Sequence, residues 1–131
     1  MEIKWNAVLT GFAVAIVLGF VVSLLGDLTA TSVFLLALPG LAGGFVAGYM
    51  VSGLADGAVH GGLATVVGAL FLLAVLAVFG VLFAGVVPAI GGFTIGLIAL
   101  VVQAIPGAVA GALGAWVKGR RAVRPAGATP R

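Results

Sequence analysis

The sequence predicts an all-α integral membrane protein, with four transmembrane helices in a compact bundle. Three observations predict it. Apolar residues make up 63% of the 131 positions and charged residues 7%, against about 45–50% and about 25% in soluble domains. A water-soluble globule of this size would have no means of covering that apolar surface, and a disordered chain would not carry it. Next, no Lys or Arg occurs from Trp5 to Val117. Finally, that stretch divides into four apolar segments, each near the roughly 20 residues that cross a hydrocarbon core of about 30 Å.

In order, the predicted spans are about Ala7–Leu25, Val33–Val51, Val59–Phe83 and Phe93–Val117, within one membrane domain over 1–117. Each is continuously apolar rather than alternating, so a β-barrel fits poorly. The last two exceed the minimum length and are expected to tilt or to extend into the headgroups. The first is longer than the 7–15 residues of a leader's apolar region, and it reads as a retained span. Gly26–Ser32 supplies Asp27 and three hydroxyl residues for the first turn. Ser52–Ala58 supplies two glycines and Asp56 for the second, and Ala84–Gly92 brings Pro88 and three glycines to the third. Such short connections make neighbouring helices antiparallel.

Four spans place the N-terminus, the Ser52–Ala58 turn and the C-terminal tail on one side. All six basic residues then share that side, which the positive-inside rule makes cytoplasmic. The expected location is the cell membrane, with both termini in the cytoplasm. Trp5, Tyr49 and Trp116 fall at the ends of spans, where amphipathic rings favour the interface. The net charge of +3 is a property of the tail, since residues 118–131 hold five of the six basic residues. That tail is expected to be disordered. Its Lys118, Arg120, Arg121 and Arg124 are placed to attract anionic lipid headgroups. Nucleic acid is not an expected partner, because the basic segment is too short to form a structured face.

Both hairpins carry related patterns. Ala37-Leu38-Pro39-Gly40 followed by Gly44 recurs as Ala104-Ile105-Pro106-Gly107 followed by Gly111, 67 residues later. Ala7-Val8, Gly11 and Ala13 recur as Ala58-Val59, Gly62 and Ala64, 51 residues later. Two parallel repeats of a helical hairpin account for this, as does the shared composition of Gly/Ala/Val-rich helices. The opening Trp5-Asn6-Ala7-Val8, the run from Leu38-Pro39-Gly40 through Gly43-Gly44-Phe45-Val46-Ala47-Gly48-Tyr49, and Asp56-Gly57-Ala58 with Gly61-Gly62-Leu63-Ala64 resemble an uncharacterised family of small archaeal membrane proteins. It is common in halophilic archaea and is known as a domain of unknown function. The resemblance reaches about Leu73. It implies four membrane helices and an archaeal cell membrane, and brings no activity and no catalytic residues.

Glycine spacing is the strongest internal signal. Gly40, Gly44 and Gly48 recur every four residues, as do Gly11, Ala15 and Gly19, and Gly107, Gly111 and Ala115; Gly57 and Gly61 open the third span. In lipid, helices associate through close backbone approach, which small residues at that spacing permit. Two uses fit: packing within one bundle, or a face that seats a second copy or a partner membrane protein.

Polar and helix-breaking residues inside the spans are few. Pro39 and Pro106 each remove a backbone donor and free the carbonyl four residues earlier, and each precedes a glycine, so a kink or local unwinding is expected. Gln103 is the one amide inside a span, three residues before Pro106; its role is a structural hydrogen bond, a contact between copies, or a polar solute site. Asp56 is expected to cap the third helix, with His60 one turn further in, either as a solvated helix start or as a pH-sensitive pair.

Several chemistries lack their residues. There is no cysteine and one histidine, so no disulfide, thiolate nucleophile or multi-His metal site is available. No Asp or Glu falls at mid-span, against a carboxylate-driven proton carrier. No phosphate-binding loop or hydrolase motif is present. The leading expectation is therefore a non-enzymatic structural or accessory membrane protein, without cofactor, held together or oligomerised by glycine packing. The alternative is a small-solute transporter or channel with Pro39, Gln103 and Pro106 near the path.

Overall fold

The computed structural model describes residues 2–25 and 33–122. Asp27, Arg124 and the tail beyond Ala122 lie outside the described residues. Four helices make up the described fold: α1 (Trp5–Leu25), α2 (Val33–Met50), α3 (Leu54–Ala84) and α4 (Val86–Ala122), with no strand among the described residues. The all-α expectation holds. By length and apolarity α1, α3 and α4 can cross a membrane, whereas the apolar part described in α2, Ala37–Met50, is shorter. Three helices rather than four thus meet that criterion.

The second hairpin departs most from expectation. The third helix starts at Leu54, five residues before the predicted Val59, and the fourth starts at Val86 rather than Phe93. The predicted nine-residue connection shrinks to Gly85 alone, at φ 92°. Glycine carries that left-handed conformation without a Cβ penalty. Pro88 does not break α4, because it stands in the first turn, where a missing N–H costs no helix bond. The turn closes instead through the Ala89 N–H on the Gly85 carbonyl, at 3.2 Å.

Helix α3 is capped by Gly53 (φ 101°) with no side-chain cap bond. Asp56 therefore does not serve as the N-cap; it lies in the first turn, where its charge still suits the positive helix end. Both α2 and α4 run unbroken through Pro39 and Pro106, so the prolines do not split the helices. At its far end α4 continues to Ala122, with Arg120 and Arg121 in its last turn. Lys118 to Ala122 are thus helix rather than disordered tail, and cations there complement the helix dipole.

Packing is asymmetric. Helix α2 touches α1, α3 and α4, whereas α1 and α4 lie on opposite flanks and do not pack together. At 1.5 Å per residue, the 31 residues of α3 and 37 of α4 reach about 46 and 55 Å, well beyond the 21 residues of α1. All buried residues of α3 fall between Gly57 and Thr65, and those of α4 between Gly107 and Ala115. The core therefore sits at the end that carries the N-terminus and Ala122. Toward the other end the α3/α4 hairpin packs mainly on itself, with Phe83 83% and Val87 81% exposed at its tip.

Candidate functional site

The core is built from backbone rather than from large side chains. Its buried apolar members are mostly alanine, and only His60 and Val8 bury a sizeable side chain completely. Where α2, α3 and α4 meet, glycine faces glycine. A β-carbon on Gly44 would lie 2.8 Å from the Gly107 carbonyl oxygen, and one on Gly61 would lie 2.6 Å from that same atom. Gly48 meets Gly111, Gly111 meets the Gly57 carbonyl, and Gly114 meets the Phe45 carbonyl with no room for a side chain. Gly11 of α1 closes in the same way on Gly43 of α2. Such approach brings dispersion contacts between backbones that larger residues would hold apart.

Of the glycines singled out by spacing, Gly11, Gly44, Gly48, Gly107 and Gly111 stand at these tight contacts, and all of the contacts lie within one chain. Gly40 and Gly19 are looser: their nearest neighbours would be Thr65 Cγ2 at 3.7 Å and the Pro39 ring at 3.8 Å. Gly43 and Gly114 were not marked by the four-residue spacing, although each adjoins a glycine or alanine of the series.

Thr65 is the junction residue that sequence reasoning missed. It is buried, and its hydroxyl donates to the Gly61 carbonyl one turn back at 3.0 Å, with the Gly40 carbonyl of α2 at 3.4 Å. The same oxygen abuts Gly107 of α4. One hydroxyl thus touches all three helices. The signal was a hydroxyl residue in an apolar span, four positions after Gly61.

His60 closes the end of the bundle that carries the N-terminus. Only 1% exposed, it accepts from the Lys4 backbone N–H at Nε2 across 2.8 Å, and its Nδ1 lies 2.7 Å from the Asp56 carbonyl oxygen. A backbone N–H can only donate, so Nε2 is the acceptor and Nδ1 carries the proton that goes to Asp56. Both ring nitrogens are thus used. Its partner on Asp56 is the main chain rather than the carboxylate. Lys4 itself stands at the start of α1, its carbonyl accepting from Ala7 N–H at 2.9 Å.

The remaining expected residues spread over other surfaces. Pro39 is half-buried against α1 beside Gly19, and Pro106 is half-buried in α4. Gln103 is exposed on α4, and none of the described hydrogen bonds engages it. Lys118 donates from Nζ to the Met50 carbonyl at 3.1 Å, satisfying the C-terminal end of α2, and Arg121 reaches the Tyr49 hydroxyl at 3.4 Å. The Arg120 guanidinium stacks 3.9 Å from the centre of the Trp116 ring. Among the described residues no cluster of His, Asp and Glu offers a metal site.

Fold and junction together define an all-α protein of apolar helices joined by backbone-to-backbone contact and pinned by two satisfied polar side chains. The chain belongs to DUF5518, a family of unknown function, matched over residues 5–117. No curated protein and no solved structure matches it.

Proposed function

We propose that this is a non-enzymatic multi-pass protein of the cell membrane, archaeal by its resemblance. In this reading α1 to α4 all cross the bilayer, both termini are cytoplasmic, and the role is structural or accessory. The observation that carries it is the state of the buried polar side chains. His60 and Thr65 spend their hydrogen bonds on backbone groups, so they act as fasteners. Around them the exterior is apolar along whole helices, with Ile16, Phe20, Leu72, Ile98 and Ile105 among the large side chains turned outward. Lipid is the medium that such a surface suits.

With the glycine contacts used inside the chain, a second copy or a partner membrane protein would be met by these larger outward residues. Alkaline carbonate extraction of native membranes tests the reading. The chain should stay in the pellet, and its release into the supernatant would contradict it. Affinity purification from the same membranes should recover a stoichiometric second copy or partner in an accessory role.

A further inference from the structure

We infer that the cytoplasmic end of α4 carries a binding site for one phospholipid with an anionic headgroup, formed by an apolar groove and the Arg120 guanidinium. The groove is bordered by Leu54 of α3 and by Val109, Ala112, Leu113 and Trp116 of α4. With 3.6 residues per turn, positions 109, 112, 113, 116 and 120 fall on one stripe, opposite the glycine junction. Val109 to Trp116 span about 10 Å along the helix, a run of apolar side chains suited to part of a lipid hydrocarbon chain. At the end of the stripe Arg120 lies over the Trp116 ring. Stacking on an aromatic face leaves the in-plane N–H donors of a guanidinium available, and these suit a phosphate in fork geometry.

The other described cations of this helix end point elsewhere. Lys118 and Arg121 turn toward α2 and hold the Met50 carbonyl and the Tyr49 hydroxyl. Among the described residues Arg120 is thus the cation that shares a stripe with the groove, and charge complementarity selects an anionic lipid over a zwitterionic one. Trp116 marks the headgroup level, where indole rings settle. The inference rests on the membrane reading above.

Trp5 and Trp116 are the two tryptophans of the chain, so Trp5→Phe leaves Trp116 as the sole reporter. That variant is reconstituted into vesicles containing dibrominated-chain phosphatidylglycerol or dibrominated-chain phosphatidylcholine at equal mole fraction. Quenching of Trp116 should show about a fivefold preference for phosphatidylglycerol, the value for about 1 kcal/mol from one cation at the surface. Arg120→Gln should abolish the preference, and Arg121→Gln, which removes the same charge from the other face, should retain it. Equal quenching by both lipids would overturn the site. So would equal losses in the two arginine variants, or competition by inorganic phosphate in the buffer. Failure of the chain to float with the vesicles would contradict the membrane reading itself.

Discussion

The Lys4 backbone N–H and His60 Nε2 are joined across 2.8 Å and 56 positions of sequence. This bond ties the start of α1 to the second turn of α3, and it holds the imidazole in the tautomer that donates to Asp56. Removing the ring leaves a part-buried N–H without its acceptor, at a cost of about 1–3 kcal/mol. His60→Ala should lower the melting temperature in detergent and speed hydrogen exchange at Lys4. A variant that melts like the parent would show that the bond contributes nothing to the fold.

The proposed sidedness rests on the distribution of Lys and Arg. Single cysteines at Asp27, Ala55 and Ala126 are offered to a membrane-impermeant thiol reagent outside intact cells. Only the Asp27 site should react. Labelling at Ala126 would overturn the cytoplasmic C-terminus and the even number of spans.

Gln103 separates the structural reading from a solute path. As an exposed amide in an apolar helix, it costs desolvation that an apolar side chain avoids. Gln103→Leu should therefore leave the fold intact and the melting temperature equal or higher. A folded variant that loses flux of a solute through reconstituted vesicles would favour a transporter.

Legibility in the sequence tracked the locality of each cause. The ends of α1 and α2 were readable within two residues, because apolar runs there stop at turn residues. The starts of α3 and α4 were not. Gly53 sets the first of these by its backbone alone, and Pro88 reads as a breaker although a helix's first turn accepts it. Glycine spacing marked Gly44, Gly48, Gly107 and Gly111, since close packing needs a periodic small face. The burial of His60 left no local trace, because its acceptor role depends on the Lys4 backbone N–H just ahead of α1, 56 positions away. Thr65 was equally silent: only the convergence of Gly40, Gly61 and Gly107 gives its hydroxyl a purpose. The outward position of Gln103 depends on how α2 and α4 pair, which composition does not encode.

The glycine junction as the fastening of a single chain is the central claim, and the melting of Gly44→Leu against Gly91→Ala tests it most directly. A side chain at Gly44 meets the Gly107 and Gly61 carbonyls at 2.8 and 3.3 Å, whereas nothing lies within 4 Å of a β-carbon at Gly91. Gly44→Leu should lose at least about 1–3 kcal/mol, the scale of overpacking, with loss of folded monomer in detergent. Gly91→Ala should be neutral or gain up to about 1 kcal/mol from restricted backbone freedom. If Gly44→Leu kept the parent's melting temperature and size, or lost only a larger species while the monomer stayed folded, the junction would not be what holds this chain together.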